Sequence, residues 1–318
     1  MLDSIPSISD REILQQRGAK NTVNPEQPYA YLVEPEKAAN GLVVDVATVF
    51  LTNRECPFHC LMCDLWKNTT DFTVEPGAIL RQIDFALDRL PSAQHIKLYN
   101  SGNFFDRKAI PKADYRAIAK RIQAFDHVVI ENHPRLCGDD CLRFRDMLGD
   151  TTLEIAMGLE TIHPQILPAL NKQMTLVDYT SAVNFLRGEG IAVRSFILLG
   201  LPFVTPADGL TWALRSIEFA FEVGVTCCAV IPTRVGNGTL ERLAAQEQFR
   251  EPKLASLEEV MQAGLELANG RGRVFVDLWD LQRFSTCDSC LDARRERLHR
   301  MNLEQQSLPT ITCSCEAD

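Results

Sequence analysis

Short apolar runs alternate along most of the chain with longer segments that have one apolar face. The runs are rich in valine and isoleucine and are apolar almost throughout, as strands buried on both faces of a parallel sheet are. Six of them cover residues 43–51, 95–100, 127–131, 153–159, 191–199 and 225–231, and a further candidate covers 273–278. Each run predicts one buried strand.

The segments between the runs have the period of an amphipathic helix. In residues 76–90, for example, Ile79, Ile83 and Leu87 lie on one helical face. Residues 111–125, 176–187, 209–223 and 257–268 predict four further helices. Because alternating strands and helices form right-handed parallel crossovers, the pattern predicts an α/β fold with a partial (β/α)6 barrel of the TIM type.

Three regions follow from this pattern. Residues 1–40 carry several prolines among polar residues and predict a short, extended N-terminal arm. Residues 41–280 contain the alternating elements and predict the barrel. Residues 281–318 predict a C-terminal extension that contains cysteines.

Composition narrows the class of protein. No apolar run reaches the roughly 18 residues of a membrane span, and the polar N-terminus differs from a secretory signal. The 11 cysteines therefore indicate a reducing compartment and metal chemistry rather than disulfides, so we expect a cytoplasmic protein. A formal net charge of -9 gives no overall attraction to a phosphate backbone.

Three cysteines lie in one short stretch, CPFHCLMC, directly after the first predicted strand. They are Cys56, Cys60 and Cys63, with the spacing C-x3-C-x2-C. A [4Fe-4S] cluster is normally held by four thiolates, so three local ligands would leave one iron open. The spacing alone is also compatible with a structural zinc site that takes a fourth ligand such as His59, or with buried thiols that bind no metal.

Polar or glycine-rich clusters follow the other predicted strands. They occupy residues 100–103, 131–134, 157–161, 199–202 and 232–238. Because the chemistry of barrel enzymes gathers at the carboxyl ends of the strands, these clusters and the cysteine loop should share one end of the barrel. The coincidence favours a cluster at an active site over an isolated metal site.

The cysteine stretch, together with KLYNSGNFFD, AMGLETIHP and VIPTRVGNG, resembles the radical S-adenosylmethionine (radical SAM) superfamily. The resemblance is to the branch of the Elongator catalytic subunit, the tRNA methylthiotransferases and the nitrogenase-cofactor maturases. More narrowly, it is to the small Elongator-like proteins, which include the radical SAM partner subunit of archaeosine synthase, and it runs roughly from residue 40 to the end. It implies a radical SAM core, a [4Fe-4S] cluster on the three cysteines, and reductive cleavage of SAM to a 5'-deoxyadenosyl radical.

The resemblance also implies SAM-binding roles near the cluster. Met62 takes the place where the family usually carries an aromatic residue beside the adenine. Ser101, Gly102 and Asn103 stand where many members have Gly-Gly-Glu, which accepts hydrogen bonds from the methionine amino group. Asn103 lacks the carboxylate but keeps an amide oxygen that can accept such a bond.

Two further residues match SAM-binding positions in related enzymes. Glu160, in MGLET, matches a Glu or Gln placed near SAM. Arg194, in IAVRSFILLGLP, matches an arginine on the fifth strand that can pair with the SAM carboxylate. An ion pair inside the barrel, with Glu160 itself as partner, is the alternative for Arg194. The resemblance does not assign a catalytic residue.

A second cysteine group lies near the C-terminus. Cys287 and Cys290 form one pair, and Cys313 and Cys315 form another beyond the basic stretch RRERLHR. Four thiolates suit a closed structural zinc site, and they also suit an auxiliary [4Fe-4S] cluster. A reduced, metal-free tail is the third alternative. Any shared metal requires the two pairs to fold back together.

The resemblance extends to partners. Archaeal members act with a separate transferase on a lysine-modified 7-deazaguanine in tRNA, and a reducing donor such as flavodoxin or ferredoxin supplies the electron. For this chain the acidic charge slightly favours a small-molecule substrate, and a tRNA delivered by the partner stays open as the other substrate class. Two other functions are compatible with the sequence: an iron–sulfur electron carrier that leaves SAM intact, and a zinc-stabilised binding protein without iron.

Overall fold

A single eight-stranded sheet organises residues 5–315, the part of the chain that the computed structural model describes. Its strands pair in chain order from β1 to β8. β1 is antiparallel to β2, and β2 to β8 are all parallel. The strands are β1 Ala30–Lys37, β2 Val43–Phe50, β3 His95–Tyr99, β4 His127–Glu131, β5 Thr152–Glu160, β6 Ala192–Leu199, β7 Cys227–Pro232 and β8 Arg273–Val276.

Helices follow most of the parallel strands and cover the outer face of the curled sheet. They are α1 Asp10–Gln16, α2 Ala78–Leu87, α3 Tyr115–Ile122, α4 Asp139–Met147, α5 Ile166–Ala169, α6 Leu176–Gly188, α7 Pro206–Glu222, α8 Thr239–Ala245, α9 Leu254–Ala268 and α10 Asp288–Glu304. Short 3-10 helices occupy Leu65–Asn68, Lys112–Asp114, Pro134–Leu136 and Leu281–Phe284. None of the helices in the described part of the chain combines the length and apolar character needed to cross a bilayer.

The architecture confirms the predicted partial barrel, and the further candidate strand at 273–278 is real as β8. The strands are buried on both faces, as their continuous apolar runs predicted. Ile96, Ile130 and Ile155 are fully buried, and they share one large apolar core with side chains of the surrounding helices. This core supports the carboxyl ends of the parallel strands, where the polar clusters lie.

The N-terminal region contains a strand that the apolar pattern did not predict. Residues 30–37 form β1, which pairs along its whole length with β2. Tyr31 and Val33 pack against the main core, so the strand is anchored by its apolar side chains. Pro35 lies within it, and a proline is tolerated because β1 is an edge strand whose outer side needs no ladder hydrogen bond.

The C-terminal extension packs against the barrel through α10. α10 packs against both edge strands, β1 and β8. The Asn302 side chain accepts a hydrogen bond from the amide of Val276 at 3.0 Å and donates one to its carbonyl at 2.9 Å. The Gln305 side chain makes the same two bonds with the backbone of Val274, at 2.8 and 2.7 Å. The two amides thus satisfy the outer edge of β8 in place of a ninth strand. An edge covered in this way is protected from pairing with another chain.

Candidate active site

The three cysteines of the CPFHCLMC stretch lie on the loop that follows β2, at the carboxyl end of the parallel strands. All three are free thiols. Burial raises the pKa of Cys56 to about 11 and that of Cys60 and Cys63 to about 12. Each thiol also raises the pKa of another, Cys63 acting on Cys56, Cys56 on Cys60 and Cys60 on Cys63. The three thiols therefore lie in one neighbourhood and stay protonated without a metal, and binding of a metal would release their protons.

The cysteine loop is tied to distant segments by its backbone. The amide of Leu61 donates to the carbonyl of Leu170 at 2.8 Å. The Asn237 side chain donates to the carbonyl of Leu61 at 2.6 Å, and the Asn171 side chain donates to the carbonyl of His59 at 2.9 Å. Because Asn237 follows β7 and Asn171 follows α5, a strand-end segment and a helix-end segment hold the loop in place. Asn237 belongs to the VGNG motif that the sequence singled out, whereas Asn171 was missed.

Ser101, Gly102 and Asn103 form the turn after β3, and the structure brings this turn against Cys56. The Asn103 side-chain amide donates to the sulfur of Cys56 at 3.1 Å. A Cβ atom on Gly102 would lie 3.2 Å from the Cβ of Cys56, so a larger residue there would have to push the turn and the cysteine loop slightly apart. Hydrogen bonds to the sulfurs are one means by which proteins tune iron–sulfur clusters. The donor set and the close turn both fit a cluster held by this loop.

The turn itself is fixed by a partly buried carboxylate that the sequence analysis placed in a strand-end cluster without giving it a role. Glu131, at the end of β4, accepts hydrogen bonds from the backbone amides of Asn100 and Gly102. Burial raises the pKa of Glu131 to about 7, although these amides act in the opposite direction. Ser101 has a left-handed backbone (φ 52°), and its hydroxyl bonds the hydroxyl of Tyr29 at 2.9 Å. The position of Glu131 at the end of β4 was the signal that could have indicated its role.

Several buried polar atoms at this end of the sheet have no partner within the described residues. They are both side-chain amide atoms of Asn100, the amide oxygen of Asn53 and the hydroxyl oxygens of Thr52 and Thr233. The four residues follow the carboxyl ends of β2, β3 and β7. Buried polar groups in native proteins almost always have a hydrogen-bond partner. Their gathering here fits a polar ligand bound between these strand ends.

Glu160 ends β5 at a β-bulge, and its side chain is paired. The sheet register shifts between Gly158 and Glu160, and Glu160 has a left-handed backbone (φ 64°). The Lys172 ammonium donates to the Glu160 carboxylate at 2.8 Å, and both side chains are buried. Although burial favours a neutral amine, Glu160 and then Cys60 raise the pKa of Lys172. Lys172 therefore adds a positive charge beside the cysteine loop.

Lys172 lies in a segment, NKQMT, that carries no motif, and sequence reasoning missed it. Its backbone carbonyl is bonded to the ring of His133 at 3.0 Å. The ring of His133 stacks on that of Phe58 in the cysteine loop, with centroids 3.9 Å apart. Burial, and then the Lys172 charge, lower the pKa of His133 to about 4. His133 is therefore neutral near pH 7 and connects the Lys172 segment to the cysteine loop.

Met62 lies on the same loop but points into apolar surroundings. It is partly buried against two small apolar clusters, one containing Leu240 and Phe249 and the other Leu198 and Leu201. These clusters join the cysteine loop to the segments after β6 and β7. The structure thus gives Met62 a packing role, and its expected place beside the adenine stays a prediction.

Arg194 does not join this site, which corrects the expectation that it pairs with the SAM carboxylate. It lies near the amino end of β6, at the opposite end of the barrel from the cysteine loop. Its guanidinium donates hydrogen bonds to the carboxylates of Glu154 and Glu36, to Glu36 at 2.7 Å. Glu154 also pairs with Arg273, and Glu36 also pairs with Lys97. Although burial favours the neutral acid, Arg194 and then Lys97 lower the pKa of Glu36. The alternative of an internal ion pair was right in kind, but the partners are Glu36 and Glu154.

The profile of the Radical SAM superfamily matches residues 50–212, which is more than half of the chain. The chain belongs to the radical SAM superfamily. The cofactors of that superfamily are a [4Fe-4S] cluster and SAM. That Cys56, Cys60 and Cys63 hold the cluster stays a prediction. This match confirms the resemblance stated from the sequence. Membership of the superfamily also supports the prediction that the chain is an enzyme.

Among curated proteins, the chain is similar to an uncharacterized protein of Methanocaldococcus jannaschii, with 23% identity over 291 residues that cover 85% of this chain and 79% of that protein. It is also similar to archaeosine synthase subunit beta of Thermococcus kodakarensis, with 26% identity over 234 residues that cover 71% of this chain and 72% of the relative. The subunit beta from Methanosarcina acetivorans is 25% identical over 246 residues, covering 70% and 68%.

Solved structures share the fold at low sequence identity. Methylornithine synthase has a TM-score of 0.54 and 12% identity, covering 94% of this chain and 81% of that one. The archaeal Elp3 of Methanocaldococcus infernus has a TM-score of 0.50 and 13% identity, covering 70% and 58%. Both likenesses support the partial barrel and say nothing further about this chain's reaction.

Proposed function

We propose that this chain cleaves SAM reductively and that the resulting 5'-deoxyadenosyl radical acts on a base in tRNA. The observation that carries the proposal is the convergence of three segments at the carboxyl ends of the strands. The three-cysteine loop, the Ser101–Asn103 turn with its amide on Cys56, and the Glu160–Lys172 pair meet there. Cys56, Cys60 and Cys63 would hold a [4Fe-4S] cluster, which would supply the one electron that reductive cleavage of SAM to methionine and the radical requires.

The chain's own residues would bind and orient the SAM molecule. Glu131 holds the turn after β3, so that the amide oxygen of Asn103 is available to the methionine amino group while its nitrogen bonds Cys56. The Lys172 ammonium offers a positive charge for the methionine carboxylate and takes the role that the sequence assigned to Arg194. The unpartnered atoms of Asn100 and Thr233 offer hydrogen bonds to a polar ligand.

The relatives support the substrate class. Two of them are named archaeosine synthase subunit beta, and the similarity covers about 70% of this chain in each case. On that basis the substrate is a lysine-modified 7-deazaguanine in tRNA, and a separate transferase subunit is the partner. The net charge of -9 favours a division of labour in which the partner supplies most of the affinity for RNA.

The reaction class is tested by anaerobic reconstitution with iron and sulfide, followed by addition of SAM and a low-potential reductant. The expected result is the formation of 5'-deoxyadenosine and methionine in equal amounts. A Cys56→Ala, Cys60→Ala, Cys63→Ala variant should bind no cluster at this site and form neither product, whereas a Cys137→Ser control should keep both. A protein that binds the cluster and leaves SAM intact would be an electron carrier, and the proposal would fail.

The substrate is tested by the dependence of 5'-deoxyadenosine formation on the added base. We expect tRNA that carries the lysine-modified 7-deazaguanine to increase product formation and to change in nucleoside mass, with a further increase when the transferase partner is present. Unmodified tRNA is the control. Stimulation by the free modified base, with no response to the tRNA, would assign the chain to a small-molecule substrate instead.

A further inference from the structure

Four cysteine sulfurs from two separate segments meet at the start of α10. Cys287 is the N-cap residue of α10 and Cys290 lies in its first turn, while Cys313 and Cys315 belong to the tail. The sulfurs of Cys287 and Cys313 are 3.9 Å apart, and those of Cys290 and Cys315 are 3.5 Å apart. All four lie within 4.8 Å of one another. The two pairs have thus folded back together, which is the condition for a shared metal.

These distances separate the two metals that the sequence left open. A single zinc ion with tetrahedral zinc–sulfur bonds of about 2.3 Å places its sulfurs about 3.8 Å apart. In a [4Fe-4S] cluster each thiolate binds a different iron at a corner of the cube, so the four sulfurs are spread more widely than around one ion. The upper limit of 4.8 Å fits one ion and is too small for a cluster.

We propose that Cys287, Cys290, Cys313 and Cys315 bind one zinc ion in a closed, structural tetrathiolate site, which is distinct from the three-cysteine loop. Four thiolates in a tetrahedron indicate zinc or iron–sulfur chemistry, and zinc binds such a site more tightly than a single ferrous ion does. Four protein ligands leave no open position, so the ion has no catalytic role.

Local structure at the start of α10 supports the first cysteine pair of the site. Positions i and i+3 on the first turn of α10 place the sulfurs of Cys287 and Cys290 on one side of the helix, and the helix N-terminus favours thiolates. The amide of Cys287 donates to the hydroxyl of Ser285 at 3.2 Å, and that hydroxyl donates to the carbonyl of Cys287 at 3.0 Å. The turn that presents the first pair is therefore ordered by its own hydrogen bonds.

The tail is guided back to the same point by Arg297. Its guanidinium donates to the carbonyls of Leu308 and Pro309, at 2.7 and 2.8 Å, and pairs with Glu258 of α9. The tail therefore runs beside α10 towards its first turn, where the second cysteine pair completes the site. A metal at this point would close the loop between the two cysteine pairs and fasten the tail to the first turn of α10.

The test is the metal content of the full chain, purified without oxygen and then reconstituted with iron and sulfide. We expect about one zinc per chain. A Cys313→Ser, Cys315→Ser variant should lose the zinc and keep its iron, and protease should cleave its tail several-fold faster. A Ser314→Ala variant, altered between the two ligands, should keep both metals. The Cys56→Ala, Cys60→Ala, Cys63→Ala variant should lose the iron and keep the zinc. The zinc site and the proposed radical chemistry are therefore tested independently of each other.

Three results would overturn the zinc site. The first is a zinc content of the Cys313→Ser, Cys315→Ser variant equal to that of the unchanged chain. The second is that this variant loses the iron of a second cluster instead of zinc, and the third is that it loses a single iron ion instead of zinc. If that variant does not fold, the Cys56→Ala, Cys60→Ala, Cys63→Ala chain is freed of zinc and titrated with cobalt(II). We expect the visible absorption of a cobalt tetrathiolate, saturating at about one cobalt per chain and displaced by zinc. Absence of that absorption would equally reject the site.

Discussion

Lys172 and Glu160 form a buried ion pair beside the cysteine loop, with the ammonium 2.8 Å from the carboxylate. Neither residue is adjacent to the cysteines in the chain, yet Cys60 raises the pKa of Lys172, after the larger effect of Glu160. The pair lies where the bulge in β5 turns the Glu160 side chain. It therefore sets the charge at the point where SAM is proposed to bind.

Replacing Lys172 with methionine should destabilise the protein by about 3–5 kcal/mol, because it leaves the Glu160 carboxylate buried and unpaired. A Lys172→Met, Glu160→Gln double variant should recover part of this loss. The free energy of unfolding in urea, measured without oxygen, checks both variants, and SAM affinity should fall in each. Lys120→Met on the exposed face of α3 is the control. Equal effects of Lys172→Met and Lys120→Met would show that the pair contributes nothing.

Gly158 leaves the space that the ion pair occupies. A Cβ atom at this position would lie 2.0 Å from the Glu160 carboxylate oxygen and 2.6 Å from the Lys172 nitrogen. Gly158→Ala should therefore displace the pair, costing about 1–3 kcal/mol and lowering SAM affinity. Gly188→Ala is the matched control, because a Cβ there meets nothing within 4 Å. Binding of SAM by Gly158→Ala with unchanged affinity would place SAM away from the pair.

Arg194→Met should destabilise the protein without affecting the active site. The change leaves Glu36 and Glu154 facing each other without their shared guanidinium, and breaking a buried pair in this way costs about 3–5 kcal/mol. Iron content and SAM affinity should be unchanged, because the network lies at the amino ends of the strands. Thermal unfolding and equilibrium binding of SAM measure the two effects. A loss of SAM affinity in a fully stable variant would restore the role first expected for Arg194.

Glu131 should make stability depend on pH in a defined window. Its pKa is raised from 4.5 to about 7 in the folded protein, so the folded state binds the proton more tightly than the unfolded state. The stability present below pH 4.5 is therefore lost as the pH rises towards 7, by an amount on the order of 3 kcal/mol. A Glu131→Gln variant should lack this loss.

The comparison is best made in the Cys56→Ala, Cys60→Ala, Cys63→Ala background, where release of a cluster in acid does not contribute. Free energies of unfolding in urea are measured from pH 4.5 to 7 for this triple variant, with and without the additional Glu131→Gln change. Parallel curves for the two proteins would contradict the raised pKa.

The parts of the fold that local sequence encodes were predictable. Continuous apolar runs mark buried parallel strands, and six of them became β2 to β7, with β8 as the further candidate. β1 was not recognised, because a strand with Pro35 and charged residues lacks an apolar run and depends on its pairing with β2. The position of Arg194 in its predicted strand also argued against the SAM-binding role that the resemblance implied. Arg194 is near the amino end of its run, which places it away from the mouth of a barrel.

The sequence by itself determined the chemistry that depends on covalent spacing. Three cysteines on one loop after a strand, and a turn of small residues after the next strand, predict a site with three thiolates at the strand ends, and the resemblance identifies it as a cluster site. Only the tertiary structure decided which charges face that site and which metal suits the tail. The pairing of Lys172 with Glu160 and the distances among the four C-terminal sulfurs arise between segments far apart in the chain. Such contacts depend on strand order, on register and on the path of α10, and no local pattern encodes these.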